Sequence, residues 1–258
     1  MLDRDRDSIM STAKMMDWSD SIDLLRDWIV KIATPRGSGT GFVITCSMEN
    51  RLYGIATAAH VLNDAHYWEE PIRITHFTSG KSFVFRYPER AIFLRDDMDT
   101  AALVIKSDDP VFPPQSLPLV PEQMSLRVGK EVGWLGFPSV SPDNLCFFSG
   151  KASCWMVSQN AYLIDGVAIN GVSGGPAFHL GEHFPVIIGI ASAYLPNRVV
   201  GATLPGLSIV RDVKQFHDLA KTFKSMDEAK RKETPPVSPE SEPPPALSET
   251  RRTDPGSK

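Results

Sequence analysis

The chain reads as an all-β protein, and two features of its 258 residues carry that reading. From residue 38 to 212, short runs rich in Val, Ile, Phe, Tyr and Thr (GFVIT, LYGIATAA, IRITHF, SFVFRY, AALVIK, VGWLGF, YLIDGVAI, PVIIGIASAYL) are separated by Gly, Pro, Asn and Asp. No long helical period interrupts them, so a barrel or sandwich is expected. The length allows one large domain or two small ones.

The flanks differ from this middle. Residues 1–32 form an N-terminal segment in which DWSDSIDLLRDWIVKI (17–32) sets Trp18, Ile22, Leu25, Trp28, Ile29 and Ile32 at helical spacing, with Ser19 or Ser21 as cap and Pro35 and Gly37 as stop signals. Trp18 and Trp28 are expected to pack on the barrel. Residues 213–231 return to helical spacing through Val213, Phe216, Leu219, Ala220 and Phe223. Residues 232–258, rich in Pro, Ser and Glu, lack the apolar content to bury a core and are expected to be a disordered tail.

Composition narrows the function classes. A net charge of −4 gives no basic footprint for nucleic acid. No stretch of about 18 apolar residues is present to span a membrane, and MLDRDRDSIM is not an apolar leader. Three cysteines, Cys46, Cys146 and Cys154, have no paired spacing and apolar or aromatic flanks. They read as buried free thiols, which fits a reducing compartment and a cytoplasmic location. His179 and His183 are interrupted by Gly181 and followed by Pro185, so they read as a surface loop, and neither a metal nor a cofactor is expected.

Three motifs carry chemistry. Gly171-Val172-Ser173-Gly174-Gly175-Pro176 has the form of a tight turn that exposes a nucleophilic hydroxyl. In it Gly171 is free to aim its N–H inward beside that of Ser173, as an oxyanion hole requires. Thr57-Ala58-Ala59-His60 ends an apolar run and offers, from a strand, a histidine as general base. Asp99 abuts the apolar run Ala101–Ile105 and suits the carboxylate that holds a histidine tautomer. The order His, Asp, Ser is that of chymotrypsin-type double barrels.

These residues give the chain a resemblance to the trypsin-like peptidases, most of all to the HtrA/DegP-type protease domain. It rests on GTGFVIT (39–45), TAAHV (57–61), DTAALVI (99–105), GWLGFP (133–138), AIN (168–170), GVSGGP (171–176) and VIIGIASA (186–193), and extends over residues 33–212. The resemblance implies a chymotrypsin-like double six-stranded β-barrel with the site between the barrels, the first giving His60 and Asp99 and the second Ser173. It implies hydrolysis of a protein or peptide substrate through a Ser173 acyl-enzyme, with His60 as base, Asp99 orienting it, and the amides of Gly171 and Ser173 as oxyanion hole. The chain departs from HtrA-type proteins in leading to a short helix and tail where they continue into a PDZ module. Its loop before the serine is one residue shorter, and Val172 stands where zymogen-type relatives place Asp, so activation by a freed N-terminus is not expected.

The same resemblance assigns the S1 walls to Val167, Ala168 and Ile169 before the serine and to Ala191, Ser192 and Ala193 on a later strand. Asp165 sits two positions too early to pair with a basic P1. Small or medium apolar P1 residues are therefore expected. The alternative is a barrel that binds peptides or partners with little turnover, or an enzyme inactive until a regulatory partner protein docks. The direction of the Gly171 N–H separates these.

Overall fold

The computed structural model describes residues 16–199 and 202–233, the side chains of 194–205 excepted. Helix α1 (Trp18–Leu25) opens on Asp17, whose carboxylate accepts from Asp20 N at 2.9 Å; Asp17 is the cap, rather than Ser19 or Ser21. The helix stops earlier than its spacing predicts. A 3-10 turn, Arg26–Trp28, leads directly into strand β1 (Ile29–Thr34). The run Ile29-Val30-Lys31-Ile32 is β-branched and pairs on both sides, so a spacing that also suited a helix is overridden by the sheet. The sheet thus begins at Ile29, four residues before the expected boundary at 33.

The first half contains β1, β2 (Gly37–Ser47), β3 (Leu52–Thr57), helix α2 (Ala59–Tyr67), β4 (Ile72–His76), β5 (Ser82–Phe85), β6 (Arg90–Arg95) and β7 (Thr100–Lys106). The seven strands form one antiparallel sheet in the order β5-β4-β1-β2-β3-β7-β6. This is a half-barrel rather than the closed six-stranded barrel expected. Its two edges approach at the short turn Tyr87–Glu89, where Arg90 gives its guanidinium to the carbonyls of Phe85, Ala65 and Glu70. One side chain there ties the β5 edge to α2 and to the loop that follows it. Helix α2 was not expected. It buries Ala59, Leu62 and Ala65, and two alanines make too weak an apolar stripe to announce a helix.

The second half is a closed barrel of β8 (Glu131–Gly136), β9 (Cys146–Met156), β10 (Ala161–Asp165), β11 (Pro176–His179), β12 (Val186–Val199) and β13 (Ala202–Asp212), in the order β10-β13-β12-β11-β8-β9. The N-terminal segment staples the halves. Trp18 packs on Phe147 and Phe178 of the barrel. Trp28 stacks edge-on against Phe184 and donates its indole N–H to Gln115 O at 3.2 Å. Helix α3 (Lys214–Glu233) returns to the first half and packs on β2 and β3. Its Asp227 carboxylate accepts from Ser47 Oγ at 2.5 Å and from the amides of Met48 and Glu49, which ties the helix to the β2–β3 hairpin.

Of the expected tail, 232–258, Lys232 and Glu233 still belong to α3, and the rest lies outside the described residues, as do residues 1–15. The cysteines are free, but they are not buried as expected: Cys46 and Cys146 are half-buried and Cys154 is exposed. Cys154 lies on β9, where only Ala152 is fully buried, so its apolar flanks were a poor guide to depth. Among the described residues no helix is long and apolar enough to cross a membrane.

Trp28 is 6 % exposed and is shared by both halves. Trp28→Ala is expected to lower the free energy of unfolding by about 3–5 kcal/mol, read from urea denaturation. A loss below about 1 kcal/mol would show that the staple is dispensable.

Candidate active site

The register of β3 against β7 brings His60 and Asp99 together. Thr57 pairs with Ala101, so the residues that follow Thr57 run opposite those that precede Ala101. His60 lies in the first turn of α2 and not, as expected, at the end of a strand. Asp99 closes the 3-10 turn Asp96–Met98 in a left-handed conformation (φ 48°, ψ 48°), a region Asp tolerates better than most residues. That bend aims its carboxylate back at α2. The carboxylate accepts from the His60 backbone N–H at 3.1 Å and from His60 Nδ1 at 2.9 and 3.0 Å. A carboxylate on Nδ1 keeps the proton there and leaves Nε2 as the acceptor nitrogen.

A third donor reaches Asp99 from the other half. β12 carries a bulge between Ala191 and Ala193, so Ser192 has no partner on β13 and turns out of the ladder. Its Oγ donates to Asp99 Oδ2 at 2.5 Å. Burial by itself raises the Asp99 pKa. The hydrogen bonds from His60 and Ser192 and the charge of the imidazole outweigh it, and the carboxyl is held below its ordinary value.

Ser173 lies on the loop between β10 and β11. Gly171 (φ 92°) and Gly174 (φ 87°) take left-handed angles on either side of it. A Cβ on Gly174 would overlap Thr57 Oγ1 and the Thr40 carbonyl oxygen. Val172 N donates to Ile169 O at 3.1 Å, Gly174 N to Ala191 O at 2.6 Å and Gly175 N to Val172 O at 3.0 Å. The Asn170 carbonyl accepts from Ser139 N at 2.7 Å. Because the peptide is trans and planar, the Gly171 N–H points away from Ser139. Among the described residues neither Gly171 N–H nor Ser173 N–H has a protein acceptor. The Ser173 hydroxyl donates to Ser192 O at 3.2 Å rather than to the His60 ring.

A cavity of about 220 Å³ opens between His60 and Ser173, walled by Ala168, Ile169 and Asn170 on one side and Ala191, Ser192 and Ala193 on the other. Five of the six wall residues predicted from sequence line it. Val167 does not: it is 45 % exposed, and Asn170 lines the cavity in its stead. Asp165 is exposed at the end of β10 and is not among the lining residues. Sequence reasoning missed two supports, the Ser192 hydroxyl on Asp99 and Thr40. Thr40 is a wholly buried polar residue in an apolar strand run, which is the signal that marks it.

Such a constellation joins a hydroxyl, an imidazole oriented by a carboxylate, and two unpartnered amides around one cavity, the parts that acyl transfer requires. Residues 39–187, more than half of the chain, match the trypsin-like peptidase domain, and the chain belongs to that family. Two solved structures share its chymotrypsin-like fold. Deg5 superposes with a TM-score of 0.58 at 19 % identity, covering 78 % of this chain and 90 % of its own. Rv3671c from M. tuberculosis H37Rv, in the inactive form of a serine-to-alanine mutant, superposes with a TM-score of 0.52 at 19 % identity, covering 84 % and 93 %. No match was found among curated protein sequences.

Two outcomes follow from this geometry. Gly174→Ala meets backbone at a left-handed φ and is expected to cost at least about 1–3 kcal/mol. Gly37→Ala, with open space around it, should stay within about 0.5 kcal/mol of the parent in the same thermal melts. The second outcome concerns acid. Since the folded Asp99 pKa is depressed, its stabilisation is present above the unfolded value of 3.8 and is lost as pH falls through the lower folded value. Asp99→Asn should therefore show a shallower loss of stability below about pH 4 than the parent. Parallel acid-unfolding curves would contradict a depressed carboxylate.

Proposed function

We propose that the chain is a serine endopeptidase that cleaves protein or peptide substrates through an acyl-enzyme on Ser173. The observation that carries the reading is the hydrogen-bonded pair His60–Asp99 facing Ser173 across one cavity. Ser173 Oγ turns from the Ser192 carbonyl to His60, a rotation about one side-chain bond. It attacks the scissile carbonyl carbon while its proton passes to His60 Nε2. The carbonyl oxygen takes the negative charge and is met by the N–H groups of Gly171 and Ser173. Collapse of this intermediate breaks the C–N bond, and the imidazolium proton goes to the leaving amine. Water then repeats the sequence on the ester and returns the free serine. Base catalysis of this kind contributes about 10²–10⁴ in rate, and each oxyanion donor about 10²–10³.

Asp99 holds the imidazole by its Nδ1 proton and stabilises the imidazolium. A small or medium apolar P1 residue suits walls built from Ala168, Ile169, Ala191 and Ala193, where a cation would lose its hydration without a carboxylate partner. A second reading has one specific observation in its favour. The resting Ser173 hydroxyl is bonded to Ser192 O rather than to His60, as in an enzyme that awaits substrate or a partner protein for alignment. The orientation of the Asn170–Gly171 peptide supports the first reading, since in a collapsed oxyanion loop the Asn170 carbonyl would face the cleft. A reducing, cytoplasmic setting is supported by three free thiols, one of them exposed.

A fluorophosphonate probe is expected to label Ser173 in the parent and nothing in Ser173→Ala. His60→Ala should lower kcat/KM on a peptide by about 10⁴-fold or more. A cleaved peptide library should show apolar residues at P1. A folded parent that resists the probe would overturn the active-enzyme reading, and a profile led by Arg or Lys would overturn the pocket assignment.

A further inference from the structure

We propose that Thr40 is a positioning residue, whose hydroxyl holds the Gly171 loop so that the Gly171 and Ser173 amides face the cleft. The inference rests on the peptidase reading above and adds to it a residue from the opposite half of the molecule.

Thr40 lies on β2 and is wholly buried. All four of its polar functions are engaged, and each reaches a different part of the site. Its Oγ1 donates to Gly171 O at 3.0 Å and accepts from Phe137 N at 3.0 Å. Its N–H donates to Ser173 O at 2.9 Å. Its carbonyl accepts from Thr57 Oγ1 at 2.7 Å, on the strand that leads to His60.

The Asn170–Gly171 peptide is free to rotate unless the peptide planes on both sides of the Gly171 Cα are held, because Gly171 has no side chain to restrict it. The structure holds this peptide at its carbonyl and, on the far side of the Gly171 Cα, the Gly171–Val172 peptide at its own. Asn170 O is taken by Ser139 N, and Gly171 O by Thr40 Oγ1. Ser139 follows Phe137 by two residues, and the Phe137 N–H is bonded to the same hydroxyl. One oxygen therefore secures one clamp directly and, through Phe137 N, the loop that presents the other. The Phe137 loop is braced a second time from the first half: Lys31, which pairs with Thr40 across β1 and β2, donates its Nζ to Pro142 O at 2.7 Å.

The chemistry selects the residue type. One atom must donate to a buried carbonyl and accept from a buried N–H, which a hydroxyl does and a methyl does not. The β-branched methyl restricts χ1 and keeps Oγ1 aimed at the loop. Loss of the hydroxyl leaves Gly171 O and Phe137 N without partners, and the loop gains a reason to turn.

The test compares Thr40→Val, which keeps shape and loses the hydroxyl, with Thr40→Ser, which keeps the hydroxyl. Three readouts are taken: kcat and KM on one peptide ester, affinity for a peptide aldehyde, and amide hydrogen exchange over residues 137–139 and 169–174. Thr40→Val should lose about tenfold or more in kcat with KM within about twofold, weaken aldehyde binding by a similar factor, and exchange faster in both segments. Thr40→Ser should stay within about threefold of the parent in kcat, with exchange close to it. If Thr40→Val does not fold, Thr40→Cys, a weak donor and weak acceptor, is read in its place with the same expectation. Parental kcat and exchange in the hydroxyl-free variant, or equal losses in Thr40→Ser, would overturn the proposal. If the parent itself neither turns over ester nor takes a fluorophosphonate, the peptidase reading fails, and the exchange comparison still decides whether Thr40 holds the loop.

Discussion

The Asp99 carboxylate is the constraint on which the site depends. It is mostly buried, and a buried charge is tolerated only where donors replace its water. Three donors do so: the His60 amide, the His60 ring and the Ser192 hydroxyl. Two come from α2 in the half-barrel and one from β12 in the closed barrel. The third donor is in place only when the halves are docked, so the charge itself favours the geometry of the cleft. The left-handed backbone at Asp99 is the local strain this arrangement carries. It persists because β7 on one side and the His60 contacts on the other leave the residue no alternative.

A second constraint acts on the backbone around Ser173. Its loop has left-handed glycines before and after the serine, and the space where side chains would stand is filled by Thr40, Thr57 and Phe137–Ser139. Glycine here serves close approach as much as turning. The Ser173 loop is pressed against β2 and β3, and two of its carbonyls find their donors there, at Thr40 N for Ser173 O and Thr40 Oγ1 for Gly171 O. Among the described residues the Gly171 and Ser173 amides are left without acceptors. The Val172, Gly174 and Gly175 amides are spent within the turn and on Ala191, so the local positive potential concentrates at the two free N–H groups, where negative charge would be favoured.

What was legible in the sequence follows the same division. His60, Asp99 and Ser173 stand in short motifs whose residue types suggest their chemistry, and the fold brings His60 and Ser173 to one cavity with Asp99 bonded behind the imidazole. Strands β2, β3, β4, β5 and β7 were readable from unbroken β-rich runs, as were β8, β10 and β12. Others were not. β1 has apolar spacing that fits a helix equally well, and only pairing with β2 and β4 decides it. β9, CFFSGKASCWM, carries Gly and Ser in its interior and exposes much of its length, which hides the alternation. The Val167 assignment failed because a loop's depth depends on its closure: the wall of the cavity starts one residue later, at Ala168, and takes in Asn170.

The supports of the site were the least legible, and the reason is physical. A motif is read from neighbours in sequence, but a hydrogen bond from Thr40 to Gly171 spans 131 positions, and one from Ser192 to Asp99 spans 93. Neither residue type is unusual alone. What marks both is a polar group at a place the pattern reserves for apolar ones, Thr40 inside a buried strand and Ser192 at a bulge between two alanines. A buried hydroxyl without a partner costs more than it contributes, so its presence in an apolar run implies a partner elsewhere in the chain. In this molecule the partners are the Asp99 carboxylate and the Gly171 loop, each placed by one half and secured by the other. The cleft is thereby more than a gap between two sheets: it is the surface along which each half completes the hydrogen bonding of the other.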